Sequence, residues 1–386
     1  MKKAKCLAIV LSLFSAAPAW AGGSASPAPV PEVEESDVAV LPPAGAHWMF
    51  AYFSFRNLAQ LIDGDTGKQL GGVHIAQLSN IAFSPDKKHI YVAETIWSKG
   101  NRGTRQDMIT VYDGRTLKLD HEIPLPGRLL AGDRLNTFSI SADGRYAYVY
   151  DMAPASSVIV VDLEKRKVLP PVEIPGCALA FAAGNTGVVS VCGDGSLAVI
   201  SHAGGKAEVT QTAPFFDAGE DPVYDNSVFD AKSGKGYLLS YSGRVYEVTA
   251  GSGSGAQIAQ PWSLQEGAHM PRAETKPLVV NWLPGGQQPV AYDAATGRLY
   301  VLMHKGEFWS YKEAGEELWE VDVATHKVLR RAALDKPAMS VAVSQDKEPL
   351  LFLAEPGGAI HIWDAATLSE KASAASMGPS HFVVAP

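Results

Sequence analysis

The sequence predicts an all-β chain, a seven-bladed β-propeller that closes by pairing its N- and C-terminal strands. Three observations point there. A short apolar strand, a polar turn, a second strand and a strand ending in an Asp turn recur along the chain. Its 36 Gly and 25 Pro are spread in short clusters between the apolar runs, as many short strands require. The tail Ser380-His381-Phe382-Val383-Val384 reads as the first strand of a unit with nothing after it, and the missing strands are available at the front.

The front strands are Trp48–Phe53 and Gln60–Asp63, the second ending in the Asp turn. The clearest complete copies follow: Ile81–Val92 leads to Ile109–Asp113, and Phe138–Val149 leads to Val158–Asp162. Further copies begin near Leu179, Val228, Val290 and Met339, the last ending at Ile360-His361-Ile362-Trp363-Asp364. Asp-Lys at 86–87 and Asp-Gly at 143–144 suit tight hairpins, because Asp and Gly tolerate the backbone angles such turns impose. A lone sheet of this kind leaves faces and edges open, so the six units must stack radially. Joining the chain ends adds a seventh and closes the ring. Spread over residues 46–386, that gives about 49 residues per blade, within the usual range of roughly 40–50. Ser252–Asn281 is poorly patterned and leaves room for an eighth blade.

The N-terminus reads as a secretory signal over residues 1–21. Lys2, Lys3 and Lys5 precede an apolar run from Cys6 to Ala17 too short to span a bilayer, and Ala19-Trp20-Ala21 offers small residues for cleavage. Residues 22–45, rich in Pro, Ala, Ser and Glu, read as a flexible arm ahead of the propeller. Export places the protein in an oxidising compartment. Cys177 and Cys192 are then the only cysteines left, and a structural disulfide between neighbouring strands is expected.

The formal charge of −8, with no long basic run, argues against a nucleic-acid partner, and the hydrophobic content of 46% against a membrane-embedded chain. The ten histidines are scattered without HxH or HExxH spacing, so no metal site is predicted. No GxSxG, P-loop or strand-to-helix GxGxxG is present. From residues alone the reading stops at an exported propeller, a stand-alone binding or scaffold protein.

Five segments carry more. Leu61-Ile62-Asp63-Gly64-Asp65-Thr66-Gly67 is followed by Arg102-Gly103-Thr104-Arg105-Gln106-Asp107 leading into Val111-Tyr112-Asp113. Cys177 and Cys192-Gly193-Asp194-Gly195-Ser196-Leu197 come next, then Trp282-Leu283-Pro284-Gly285-Gly286, then Val343 to Leu351. In order and spacing, the chain resembles the heavy subunit of the tryptophan tryptophylquinone-dependent amine dehydrogenases, the methylamine and aromatic amine enzymes.

The resemblance implies a periplasmic heterotetramer of two heavy and two light subunits. It implies oxidation of a primary amine, methylamine favoured, to aldehyde and ammonia. The quinone would be made from two tryptophans of the light subunit, which also carries the catalytic base, and electrons would pass to a blue copper protein, amicyanin or azurin. This chain would then hold no cofactor and no catalytic residue, and its own tryptophans would serve packing. The resemblance also implies a heavy-subunit phenylalanine in the substrate channel. Ungapped alignment from Ile62-Asp63 puts Phe53 there with Phe55 beside it, although 49–55 departs from the family pattern. An aromatic ring suits the task because it excludes water and sets amine size without a competing charge. Arg102 and Arg105 are read as light-subunit interface, and Trp282 as packing.

Overall fold

The computed structural model describes residues 40–386 apart from Ser54, Ser252, Ser254, Met377 and Pro379. The expected signal peptide and most of the arm lie outside the described residues. The last residues before the propeller are tied to it: Leu41 N–H donates to Arg115 O at 2.9 Å, and Arg115 Nε donates back to Leu41 O at 3.0 Å.

Seven antiparallel sheets follow one another around a ring. Blade 1 takes its innermost strand, His381–Val384, from the tail and its other three, Trp48–Tyr52, Leu58–Asp63 and Gln69–His74, from the front. The closing register pairs Tyr52 with His381 and Met49 with Val384. The inner strands of blades 2 to 7 are Asn80–Phe83, Phe138–Ile140, Cys177–Ala183, Val228–Asp230, Val290–Asp293 and Ser340–Val343, close to the starts the repeat predicts. The described residues between 252 and 281 form no eighth blade. Ala256–Ile258 and Trp262–Ser263 pair onto the third strand of blade 5, and a single helical turn, Leu264–Gly267, follows, capped by Ser263. Asn281–Pro284 pairs with Arg298–Gly306 in blade 6.

Buried apolar side chains form seven clusters, each shared by two adjacent blades. Phe50 and Leu61 of blade 1 pack on Ile81 and Ile90 of blade 2, while Met49 and Ile62 pack on Phe352 of blade 7. Strand alternation sends successive side chains to opposite faces, so one blade feeds two clusters and none stands alone.

Turn chemistry explains the repeated motifs. Where the first strand of a blade meets the second, Ser84, Ser141 and Ser344 each donate through Oγ to Asp86, Asp143 and Asp346, all at 2.7 Å. That bond, set against partial burial and joined by the Lys88 N–H, holds the Asp86 carboxyl down to about 2. Where the third strand meets the fourth, Asp63, Asp113, Asp322 and Asp364 accept from the hydroxyls of Thr66, Thr116, Thr325 and Thr367. The next residue swings into the left-handed region. In blade 1 it is Gly67, at φ 70°, where a Cβ would lie 2.2 Å from Ser373 O.

These Asp turns occupy one face of the ring, here the lower face. The loops between second and third strands, and the connections from each outer strand to the next blade, therefore occupy the upper face.

Candidate functional site

Phe53 and Phe55 sit in the loop that joins the second and third strands of blade 1, which places them on the upper face. Their rings meet edge-on with centroids 5.6 Å apart. Phe53 is half-buried, and Phe55 is 57% exposed. The loop turns back at once, Arg56 N–H donating to Phe53 O at 2.8 Å. Both rings are thus held at the surface of the ring and not in the blade core, where Phe50 and Tyr52 of the preceding strand are buried.

Arg102 and Arg105 come to the same face on the long hairpin between His89–Trp97 and Arg105–Asp113. Arg102 is exposed near the tip, its carbonyl accepting from Lys99 N–H at 3.0 Å. Arg105 is half-buried and fixed on Asp107 Oδ1 through Nε at 3.1 Å and Nη2 at 3.0 Å. Topology gathers the two phenylalanines and the two arginines on neighbouring blades.

Cys177 and Cys192 are opposite one another at the upper end of blade 4 and form the expected disulfide, S–S 2.03 Å. The loop after Cys192 has its own logic. Asp194 accepts from the Ser196 hydroxyl at 2.6 Å and its N–H at 3.0 Å, while Gly195 takes φ 85° so close to Phe216 O that a Cβ would be 1.8 Å from it.

Sequence reasoning missed three features of this face. The first is a strap, residues 128–137, running from blade 2 across the mouth of the central channel, a space of about 680 Å³. Asn136 Nδ2 donates to Asp225 O at 2.8 Å and Ser227 O at 2.9 Å on blade 5, and Arg134 pairs with Asp225. Asn80 Nδ2 donates to Arg134 O at 2.7 Å. The length of the connection after Leu125 was the available signal.

The second feature is a cleft of about 830 Å³ between blades 1 and 2, opening beside Asn57 and lined by Glu94, Ile96, Trp97, Arg105, Tyr112, Arg128 and Leu129. Burial pushes the Glu94 carboxyl up, against bonds from the Thr110 hydroxyl and the Ala76 N–H. Burial pushes the Arg128 guanidinium down to about 10.

The third feature is an aromatic group on blades 5 and 6. Tyr241 stacks on Tyr311 at 4.1 Å and meets Trp309 edge-on at 6.2 Å, with Trp309 60% exposed.

Among the described residues, exposed large apolar side chains are distributed unevenly. Phe55, Ile96, Leu129, Met152, Leu278, Val280 and Trp309 all belong to upper-face loops or strand ends. The others, Leu119, Val209 and Leu329, are on outer strands, and Val40 precedes the propeller. Seven of these eleven exposed side chains are therefore on the upper face.

A family model described as methylamine dehydrogenase heavy chain matches residues 46–385. The chain belongs to the methylamine dehydrogenase heavy chain family. It is the non-catalytic heavy subunit of an amine dehydrogenase, and the family implies a light-subunit partner.

Among its relatives, the methylamine dehydrogenase heavy chain of Methylobacillus flagellatus is 30% identical over 78% of this chain and 74% of the relative. That of Paracoccus versutus is 29% identical over 85% and 75%. That of Methylorubrum extorquens is 27% identical over 99% and 94%. Similar solved structures share the fold alone. The dihydro-heme d1 dehydrogenase NirN aligns with a TM-score of 0.52 at 16% identity over 89% of this chain and 76% of NirN. Kuenenia stuttgartiensis hydrazine synthase aligns with a TM-score of 0.56 at 15% identity over 86% and 97%.

Membership suggests that the cofactor lies in the partner light subunit. Among the described residues, the tryptophan rings in contact are Trp282 and Trp319, with centroids 5.9 Å apart. Arg331 covers both, and Trp319 Nε1 donates to Glu317 at 2.7 Å. Trp319 is fully buried in the cluster between blades 5 and 6, against which Trp282 packs, so this pair is engaged in packing. Among the described residues no group of three His, Cys, Asp or Glu side chains is placed to hold a metal.

Proposed function

We propose that the upper face docks the light subunit of a periplasmic amine dehydrogenase and completes the amine channel with Phe53 and Phe55. The observation that carries this is the segregation of exposed apolar side chains to the side where those two rings lie. Burying that surface drives association, because apolar area removed from water stabilises by about 25 cal/mol per Å².

The light subunit would bring the tryptophan tryptophylquinone, which supplies the electrophilic carbonyl and accepts the electrons of amine oxidation. The work of this chain is steric and dielectric. Phe53 is held half-buried by its turn, and Phe55 presses on it edge-on, so together they form an apolar wall at the protein surface. Such a wall keeps water out and selects by amine size while offering an ammonium ion no carboxylate to pair with. Methylamine is the substrate this reading favours, as in the names of the relatives. Electrons would leave to a small blue copper protein, amicyanin or azurin, docking on the assembled α2β2 complex.

The test is co-purification from the native host followed by an absorption spectrum. A small light chain should travel with this one, and a visible quinone band should bleach on addition of methylamine. A single colourless chain, unchanged by amine, would overturn the reading in favour of a stand-alone binding propeller.

A further inference from the structure

Among the described residues, the cleft between blades 1 and 2 holds a cation without a counter-ion. Arg128 is 2% exposed. Its Nη2 donates to Leu78 O at 2.7 Å and Asn80 Oδ1 at 2.6 Å, both neutral acceptors, and its Nε has no partner among the described residues. The two acids that act on it from a distance are engaged elsewhere. Asp107 is taken by Arg105 and by the Thr95 hydroxyl at 2.6 Å. Glu94 is taken by Thr110 and by the Ala76 N–H at 2.8 Å.

A guanidinium removed from water is costly unless a close, well-aligned acceptor compensates it. Here the compensation is incomplete, and the cleft beside the guanidinium opens on the face that the apolar side chains mark. Its rim carries Ile96 and Leu129, both exposed, and its mouth adjoins the loop that bears Phe53 and Phe55. An apolar rim around a buried cation fits a protruding segment with an acidic side chain flanked by apolar ones.

The geometry points to the Arg128 cleft as the socket for a carboxylate side chain of the light subunit, whose insertion completes the ion pair that the heavy chain leaves open. This rests on the reading that the upper face docks the light subunit. The socket is a recognition element and not a catalytic one: Arg128 pairs with the partner and fixes its register next to Phe53.

The experiment is a binding measurement between this chain and its cognate light chain, with variants of both. Arg128→Met should weaken association on the order of a hundredfold, as truncation of one member of a buried interfacial ion pair does. Asn101→Trp, at the exposed mouth of the cleft, should weaken it without touching Arg128. One Asp→Asn or Glu→Gln substitution in the light chain should reproduce the loss of Arg128→Met and add little to it in the double variant. Arg128 also anchors the strap, so Asn101→Trp and the light-chain substitutions decide the matter if Arg128→Met fails to fold. Ile96→Asp tests the docking face itself. If Ile96→Asp abolishes association while Asn101→Trp and every light-chain amide variant bind normally, the socket is overturned and the docking face stands. If Ile96→Asp also binds normally, both are overturned.

Discussion

His381 Nε2 donates to Asp133 Oδ2 across 2.8 Å, joining the strand that closes the ring to the strap that crosses its mouth. The contact links two parts of the chain 248 residues apart, the innermost strand of blade 1 and a connection that belongs to no sheet. Around it the strap is held by side-chain amides and not by strand pairing. Asn136→Ala would leave the carbonyls of Asp225 and Ser227 without their donor. The expected cost is about 1–3 kcal/mol, measurable by chemical denaturation of the heavy chain.

Removal of the Cys177–Cys192 bridge tests the staple. The two residues are separated by 15 positions, and a loop of that size contributes about 3 kcal/mol on the chain-entropy account. Cys177→Ser with Cys192→Ser should lower stability by roughly that amount. The fold, followed by circular dichroism, should survive, since blade 4 keeps its strand ladder.

Phe53→Ala should open the channel. The assembled enzyme is expected to gain kcat/KM for a bulkier primary amine relative to methylamine by about tenfold, the worth of one apolar contact in a pocket. Subunit association should be little changed, because Phe53 is the inner and less exposed ring of the pair. Equal loss toward both amines would argue for a packing role.

A pH dependence is built into blade 7. Burial opposes the charge on His361, but the hydrogen bonds and charges of Glu355 and Glu370, at 2.7 and 3.0 Å, outweigh it and raise its pKa. A histidine whose folded pKa lies above its unfolded value stabilises the fold fully below the unfolded pKa. That contribution is lost as pH rises through the folded value. His361→Gln should therefore lower the melting temperature at about pH 5.5 and leave it near wild type at about pH 9, well above the usual histidine range.

The ring was legible in the sequence because its units are built from local chemistry. Ser-x-Asp at 84–86, 141–143 and 344–346 and Asp-x-x-Thr at 63–66, 113–116 and 364–367 are turns that each fold within a few residues. The unpaired tail revealed the closure, and the two remaining cysteines the bridge. The strap and the cleft were not legible. Asn136 reaches acceptors 89 and 91 residues away, and Arg128 meets Leu78 and Asn80 across 50 and 48. Contacts of that kind leave no period and no spacing to read. The stretch 252–281 gave little pattern for a related reason: its strands are two or three residues long and together form the outer edge of blade 5.

The central claim is that one face of the propeller carries the partner. Hydrogen–deuterium exchange on this chain, alone and with its cognate light chain, tests it most directly. The account predicts new protection in the upper-face segments 53–57, 96–105 and 128–134, with the lower-face Asp turns at 63–67, 113–117 and 364–368 unchanged. Protection at those Asp turns, with the upper-face segments exchanging as freely as before, would contradict it.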